Sequence, residues 1–223
     1  MNISLFDLDN TLLPIDSDEA WGNFMARSGA VDAEDFARRN NGFYRQYLTG
    51  TLDVREYVRF VCEGLRSCGR DGSEKLRAQF MQEIIAPAIR PQALKLLDEC
   101  RRAGDAVAIV TATNEFVTAP IAQALGVDEL IATRLARGAD GWVTGEIEGV
   151  ASFREGKITR VTDWLAARGL DWNTAHITFY SDSINDLPLL EKAHQPVATN
   201  PDARLRAIAE ERGWRILNLF TAP

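Results

Sequence analysis

The residues best suited to chemistry lie within the first dozen positions. Asp7 and Asp9 stand one residue apart, directly after the apolar run at 3–6, and no basic neighbour in the sequence pairs with them. Two carboxylates that lie so close together are costly unless a cation neutralises them. Because Mg²⁺ prefers oxygen ligands of this kind, the pair indicates a magnesium site. A strand-end turn with two solvated aspartates would explain the same residues.

Further polar residues follow later predicted strands. Thr111 follows the second core strand, and Asp182 and Asp186 follow a later one, while Lys157 stands at the start of the helix just before that later strand. The carboxyl ends of strands in an open α/β sheet line one crevice, so these groups could reach the first pair. Carboxylates hold Mg²⁺, whereas lysine, hydroxyl and helix-start N–H groups hold phosphate oxygens. The set predicts phosphoryl transfer with an aspartate nucleophile.

The elements that would position these groups alternate between strand and helix. Strands are predicted at 3–6, 106–110, 129–135, 176–180, 195–199 and 214–217, and helices of the same part of the chain at 93–102, 115–125, 157–167, 184–192 and 202–212. This alternation predicts an α/β fold with a doubly wound parallel, Rossmann-like sheet. The segment 141–147 alternates between glycines and predicts a β-hairpin arm.

A long helical block interrupts this pattern after the first strand. Residues 15–86 show helical spacing of apolar residues and no strand pattern. We therefore expect an inserted all-helical cap subdomain at 15–86 and a core built from 1–14 and 87–223. The aromatic residues expected to form mainly the core of the cap, with some of them facing the substrate, are Trp21, Phe24, Phe43, Tyr44, Tyr47 and Phe60.

Composition narrows the class of protein. Hydrophobic residues make up 46% and charged residues 26% of the 223 residues, which is typical of a globular protein. The net charge of −7 argues against nucleic acid as a partner. Three cysteines without metal-ligand spacing indicate reduced thiols. With no signal peptide and no apolar run near the roughly 20 residues of a membrane span, we expect a cytoplasmic protein without a membrane partner. Nothing in the sequence indicates an oligomeric state.

Taken in order, these motifs resemble the haloacid dehalogenase-like phosphatase superfamily, and the cap position is similar to that of its phosphoserine-phosphatase-like branch. The motifs spread over about 180 residues in the family order, which makes them specific as a set. The resemblance implies that Asp7 is the nucleophile that becomes an aspartyl phosphate and that Asp9 is the general acid and base. It also implies that Thr111 binds phosphate through its hydroxyl and that Lys157 offsets the charge of the phosphate and the nucleophile.

The same resemblance implies a Mg²⁺ site. Its ligands would be the side chains of Asp7 and Asp182 and the backbone carbonyl of Asp9, with Asp186 as an acid in the outer shell of the metal. The chain departs from the branch at two glycines of the fourth motif, where Ser181 and Ser183 stand. These departures bear on the substrate rather than on the chemistry, because the carboxylates and hydroxyls that act are kept.

The residues predicted to bind substrate come from the second motif and from the cap. Ala112 and Thr113 follow Thr111 where the branch usually has two glycines. Asp16 stands nine residues after the nucleophile, where the branch carries an acid that receives the substrate ammonium; a turn acid explains it equally well. Arg45 or Arg55 could bind a substrate carboxylate or phosphate, with a surface arginine as the alternative for each.

The resulting prediction is a Mg²⁺-dependent phosphomonoesterase that acts on a small phosphorylated metabolite, phosphoserine-like or histidinol-phosphate-like, through an aspartyl phosphate. One alternative is a phosphotransferase or mutase that uses the same intermediate. Another is a non-hydrolytic phospho-acceptor switch protein. A switch protein has no use for an acid two residues past its acceptor, or for a cap of about 70 residues, so Asp9 and the cap separate it from the enzyme.

Overall fold

The computed structural model describes residues 1–49 and 51–220. Its strands are β1 (Asn2–Phe6), β2 (Ala106–Asn114), β3 (Glu129–Thr133), β4 (Leu135–Arg137), β5 (Val143–Ile147), β6 (His176–Ser181), β7 (Gln195–Thr199) and β8 (Arg215–Leu217). Its α-helices are α1 (Ser17–Arg27), α2 (Ala33–Thr49), α3 (Val54–Phe80), α4 (Ala86–Ala88), α5 (Pro91–Arg102), α6 (Glu115–Ala124), α7 (Glu155–Ala166), α8 (Leu187–Lys192) and α9 (Ala203–Arg212). A π-helical turn spans Met81–Ile85 and a 3₁₀ turn spans Ile184–Asp186.

Six strands form one parallel sheet in the order β3-β2-β1-β6-β7-β8. The order reverses at β1, which lies between β2 and β6, so a crevice opens at the carboxyl end of β1. Helices cover both faces of the sheet. Ile3 and Leu5 of β1 belong to a buried cluster with Val161 of α7, whereas Phe6 belongs to a second cluster with Leu97 of α5. The predicted doubly wound fold is confirmed.

The helical block packs on the second of these faces. Trp21 of α1 is buried, and its ring lies 5.2 Å from Phe80 of α3 and 6.0 Å from Phe116 of α6. Of the aromatic residues predicted for the cap core, Phe24 and Phe60 are also buried. The core of the block is therefore continuous with the core beneath the sheet.

Three of the predicted cap aromatics lie elsewhere. Tyr44 is 56% exposed, and Tyr47 lines a cavity with Tyr44, whereas Phe43 lines the same cavity and also packs against the core. The helices α1 to α3 fall in the range expected for a cap, 15–86, while the domain boundaries themselves stay a prediction. Gly50 and residues 221–223, which fall in the predicted cap and core, lie outside the described residues.

The predicted strand at 129–135 is divided in two. The Leu135 amide donates to the Glu115 carboxylate, at 3.0 and 2.9 Å from its two oxygens, instead of extending the pairing with β2. The chain then turns into the antiparallel pair β4–β5, which confirms the predicted hairpin. The hairpin packs on α3, where Arg59 Nε lies 2.7 Å from Glu146 Oε1.

The helices were compared with the length and composition of a membrane span. Within 1–49 and 51–220, no helix combines the length and the apolar character needed to cross a membrane.

Candidate active site

The turn that follows β1 fixes the backbone of Asp7. The Asp7 amide donates to the Tyr180 carbonyl at 2.9 Å, which extends the β1–β6 pairing by one residue. The Leu8 carbonyl then accepts the Leu12 amide at 2.9 Å and closes a helical turn. Asn10 has φ 55°, a left-handed conformation that asparagine tolerates better than most residues. Asp9 is thereby presented on a tight turn beside Asp7.

Lys157 joins two of the predicted acids. Its Nζ lies 2.9 Å from Asp7 Oδ1 and 2.6 Å from Asp186 Oδ2, and the residue is only 2% exposed. Burial alone would lower the pKa of Lys157, but the charges of Asp186 and Asp7 raise it above its ordinary value. Burial raises the pKa of Asp7 to about 6 although Lys157 opposes this. Lys157 therefore carries a permanent positive charge. The Ser181 hydroxyl donates to the same Asp186 oxygen at 2.7 Å.

The position of Lys157 depends on an unusual turn before α7. Arg154 has φ 51° and ψ −124°. A Cβ on Gly156 would lie 2.1 Å from the Ala151 carbonyl oxygen, so only glycine fits there. The Lys157 amide bonds the Arg154 carbonyl at 3.0 Å. The tight packing of this turn carries the first helical residues, and with them the lysine, into the crevice.

Asp9 is held at both carboxylate oxygens. The Thr113 hydroxyl donates to Oδ2 at 2.9 Å, and the Ser17 amide donates to Oδ1 at 2.7 Å. The pKa of Asp9 is raised well above its usual range, because the carboxyl is withdrawn from solvent and because Asp16 and Asp7 carry like charge nearby. A raised pKa favours the protonated carboxyl, which suits the role of a general acid.

Thr111 lies inside β2 rather than after it, because the strand continues to Asn114. The pairing of β2 with β3 shifts register between Val110 and Asn114, and this irregular stretch lines the crevice. The Thr111 hydroxyl accepts the Thr113 amide at 3.2 Å. The two threonines therefore support each other, and both lie at the site, as does Ala112.

The charges at the site fit a divalent cation. The Thr11 hydroxyl donates to Asp182 Oδ1 at 3.1 Å and accepts the Asp182 amide at 3.0 Å, which fixes this loop. Burial raises the pKa of Asp182 well above its usual range, and the charges of Asp7 and Asp186 add to the effect. Against the carboxylates at the site, Lys157 is the single lysine or arginine among the described residues that line it. Such an excess of carboxylate oxygen is the donor set that Mg²⁺ prefers.

The ligand set implied by the family is compatible with this geometry. Within the described residues, no three His, Cys, Asp or Glu side chains group as a metal-binding cluster. The implied set does not need one, because it uses two carboxylates, from Asp7 and Asp182, and the carbonyl of Asp9.

A cavity of about 360 Å³ lies between the strand ends and the helical block. Its core side is lined by all six predicted catalytic and metal-associated residues: Asp7, Asp9, Thr111, Lys157, Asp182 and Asp186. Its other side comes from α1, α2 and α3 and includes Asp18, Tyr47 and Tyr57. The helices thus form the wall of the cavity that faces the acids.

The predicted substrate residues of the cap divide into two groups. Asp16 lines the cavity, and its carboxylate caps α1 by accepting the amides of Asp18 at 3.0 Å and Glu19 at 2.9 Å, while its role in binding substrate stays a prediction. Arg45 and Arg55 are exposed and are not among the residues that line the cavity. The structure does not bring these arginines to the site, since their positions on α2 and α3 turn them to solvent.

Sequence reasoning did not single out other residues of the site. Asp18 accepts the Tyr57 hydroxyl at 2.8 Å, and the Tyr47 hydroxyl lies 3.0 Å from Ser183 Oγ. In the sequence, Asp18 is one more acid in a first helical turn, and the two tyrosines are aromatic residues at helical spacing. No sequence pattern distinguishes them from capping or core residues. Only Ser183, at a position where the branch has glycine, signals a difference.

The comparison with protein families agrees with the site. The model of the haloacid dehalogenase-like hydrolase family matches residues 4–191, which span β1 to α8 and contain every predicted catalytic residue. The chain belongs to the haloacid dehalogenase-like hydrolase family. The family that the motifs predicted is thereby confirmed, and with it the prediction of an enzyme.

Relatives of the chain include proteins that carry the names of phosphatases. A histidinol-phosphatase of Neisseria meningitidis serogroup C (strain 8013) is 42% identical over 218 residues, which cover 97% of this chain and 98% of the relative. A phosphoserine phosphatase of Mycobacterium tuberculosis (strain ATCC 25618 / H37Rv) is 34% identical over 220 residues, which cover 96% of this chain and 69% of the relative. The predicted class of enzyme, a phosphatase, is confirmed at this level.

A solved structure shares nearly the whole fold. The crystal structure of a protein of unknown function from Bordetella pertussis Tohama I matches with a TM-score of 0.92 and 45% identity, and the match covers 98% of this chain and 99% of that one.

Proposed function

We propose that this protein is a Mg²⁺-dependent phosphomonoesterase that removes the phosphate from a small phosphorylated metabolite through an aspartyl phosphate. The observation that carries the proposal is the contact of 2.9 Å between Lys157 Nζ and Asp7 Oδ1, in the same cavity as Asp9. A carboxylate that attacks an anionic phosphate needs its charge and that of the phosphate screened. Lys157 supplies a permanent positive charge at that point.

In the first half of the reaction, a carboxylate oxygen of Asp7 bonds to phosphorus while the bond from phosphorus to the leaving oxygen breaks. Asp9 gives its proton to that oxygen, so the alcohol leaves neutral. The Thr113 hydroxyl, 2.9 Å from Asp9 Oδ2, keeps the carboxyl aimed at the leaving group. The Thr111 hydroxyl binds a phosphate oxygen.

In the second half, Asp9 takes a proton from water as the water oxygen bonds to phosphorus. The bond from phosphorus to Asp7 breaks, which releases inorganic phosphate and restores both side chains. Asp7, Asp182 and the Asp9 carbonyl would hold Mg²⁺, which when bound offsets negative charge on the transferring phosphoryl group. Asp186 orients Lys157, 2.6 Å away, from the outer shell of this site.

The cavity favours a cationic substrate without a carboxylate. Its helical side carries the acids Asp16, Asp18 and Glu19, and the described residues that line it include no arginine and no lysine except Lys157. Lys157 is already committed to Asp7 and Asp186. Phosphoserine would bring a carboxylate that finds no cation of its own. Histidinol phosphate has nitrogen bases and no carboxylate, and the name of the histidinol-phosphatase that is 42% identical to this chain supports this substrate class.

The proposal is tested with the purified protein and Mg²⁺ on a panel of p-nitrophenyl phosphate, histidinol phosphate, phosphoserine and a sugar phosphate. We expect release of phosphate with the highest kcat/KM on histidinol phosphate. Asp7→Asn should abolish turnover of every substrate, whereas Asp163→Asn, at an exposed position of α7, should keep it. Full activity of Asp7→Asn would remove Asp7 as the nucleophile, and a preference for phosphoserine would overturn the substrate assignment.

The covalent step has a test of its own. Asp9→Asn should let the phosphoryl group reach Asp7 but slow its release, because no base activates water. Mass spectrometry of the intact variant after mixing with substrate should show the mass of one added phosphoryl group, located on the peptide that contains Asp7. Phosphate found on another residue would contradict the mechanism.

A further inference from the structure

The carboxyl of Asp18 is incompletely satisfied. Its Oδ2 accepts the Tyr57 hydroxyl at 2.8 Å, but its Oδ1 is shielded from solvent and has no hydrogen-bond partner among the described residues. Burial, with the nearby charge of Asp16, raises the pKa of Asp18 to about 7. A shielded acceptor without a donor is destabilising, so an N–H donor that reached this carboxyl would be stabilising.

Helix capping does not account for this residue. Asp16 already caps α1 through the amides of Asp18 and Glu19, and Glu19 places an exposed acid in the same first turn. Either acid complements the helix dipole without being buried. The side chain of Asp18 instead points inward to Tyr57 on α3, two helices away in the chain.

The position of Asp18 connects it with the substrate. Asp18 and Tyr57 both line the cavity that holds Asp7 and Lys157. Tyr57 is in turn packed edge-on against Phe43, with ring centroids 5.4 Å apart, so the wall beside the carboxyl is aromatic. An acid next to aromatic faces is suited to a flat or compact nitrogen cation, which can donate to the oxygen and pack on the rings.

We propose that Asp18, oriented by Tyr57, determines specificity by accepting an N–H of a second cationic group of the substrate, apart from the ammonium assigned to Asp16. The substrate class is therefore a phosphate monoester that carries two basic nitrogen groups, such as an amine and an imidazole. The proposal rests on the proposed function, because it takes this cavity to be the active site. The binding of a cationic nitrogen group by Asp18 can nevertheless be measured whether or not the protein is a phosphatase.

The kinetic test compares two substrates on each variant. For Asp18→Asn and Tyr57→Phe, the ratio of kcat/KM for histidinol phosphate to kcat/KM for p-nitrophenyl phosphate should fall, by ~10–100-fold in Asp18→Asn, as expected for loss of a charged hydrogen bond. The change should lie mainly in KM. Glu34→Gln, at an exposed position of α2 outside the cavity, serves as the control with an unchanged ratio. An unchanged ratio in Asp18→Asn, or an equal loss on both substrates, would overturn the proposal.

A binding test separates this proposal from the proposed function. Histidinol, which lacks the phosphate, is titrated by calorimetry into the wild type, Asp18→Asn and Tyr57→Phe. Weaker binding by an Asp18→Asn protein that is no less stable than the wild type supports the role of Asp18 even if no phosphate ester is hydrolysed. Equal binding by the wild type and by Asp18→Asn would refute it even if the protein is an active phosphatase. Tyr57→Phe, which keeps the ring and removes only the hydroxyl, should give an intermediate result.

Discussion

The Tyr47 hydroxyl on α2 lies 3.0 Å from the Ser183 hydroxyl, one residue past Asp182 in the loop after β6. Burial raises the pKa of Tyr47 to about 12, so the phenol keeps its proton at neutral pH. The Tyr47 ring also lies 6.2 Å from that of Phe153, before α7. A glycine at 183, as in the related branch, could not form the hydrogen bond. This chain therefore ties its helical block to the loop that carries a predicted metal ligand.

A double-mutant cycle measures this connection. Tyr47→Phe should lower the free energy of unfolding by about 0.5–1.5 kcal/mol in the wild type, since it removes one hydrogen bond. In a Ser183→Ala background the same change should cost much less, because the partner is already gone. Urea denaturation of the four proteins gives the coupling energy. Strictly additive effects would show that the two hydroxyls do not interact in solution.

Removing the buried ammonium should harm both stability and catalysis. Lys157→Met leaves Asp7 and Asp186 buried without their shared cation, and we expect a loss of about 3 kcal/mol at neutral pH. Phosphatase turnover should fall at least ~100-fold. Lys95→Met, at a lysine whose side chain is 77% exposed, should change the unfolding free energy by less than about 0.5 kcal/mol. Wild-type stability of Lys157→Met would contradict the ion pairs described above.

Two glycines offer a matched comparison of backbone space. Gly156→Ala places a Cβ 2.1 Å from the Ala151 carbonyl, so the turn before α7 must shift and carry Lys157 away from Asp7. We expect a loss of at least ~2 kcal/mol together with most of the activity. Gly42→Ala in α2 meets no atom within 4 Å and should stabilise the helix by about 0.5–1 kcal/mol. Thermal unfolding and phosphate release report both effects, and equal behaviour of the two variants would refute the role of the tight turn.

Asp18 gives the stability a defined pH dependence. Its pKa is raised from 3.8 to about 7 in the folded protein, so between these values the folded chain holds a proton that the unfolded chain has lost. The contribution of this group to stability is therefore greatest at low pH and falls as the pH rises through this window. Asp18→Asn removes the effect. Its unfolding free energy relative to wild type should rise by on the order of 1–4 kcal/mol from pH 4.5 to pH 8.

The check is chemical denaturation of both proteins at the two pH values, with the exposed Asp163→Asn as control. A constant difference between Asp18→Asn and wild type would show that Asp18 is ionised as freely in the folded chain as in the unfolded one. A gain in stability at pH 8 combined with lost selectivity would mark Asp18 as a residue kept for function.

The sequence allowed prediction of those site residues that directly follow the ends of strands. Asp7, Asp9 and Asp182 could be placed because each follows a short apolar run, and parallel strands deliver their ends to one edge. Thr111 was assigned to a position after its strand, since nothing in the composition reveals that β2 runs on to Asn114 through a shift in pairing. The local apolar pattern therefore predicts the presence of a strand, but it does not predict the residue at which pairing with the neighbouring strand ends.

The residues of the helical block that face the cavity could not be predicted from the sequence, for a physical reason. The side of a helix that faces a cavity is set by how three helices pack, and amphipathic spacing does not distinguish a wall of a cavity from a core. The charges of Arg45 and Arg55 suit them to bind a substrate anion, but both residues are exposed to solvent. In the sequence, Asp18 is one acid of a first helical turn, and only the closeness of Tyr57 shows that it points inward.

The aromatic contacts of Trp21 with Phe80 and Phe116 have a consequence for how a substrate could enter. Lifting α1 from the sheet would expose these buried faces to water at about 25 cal/mol for each Å² of apolar surface. Among the described contacts, the Tyr47 end of α2 is held at the core by the hydrogen bond to Ser183 and the ring contact with Phe153. Because breaking these two contacts exposes less apolar surface than lifting α1, we expect substrate and phosphate to pass on the Tyr47 side.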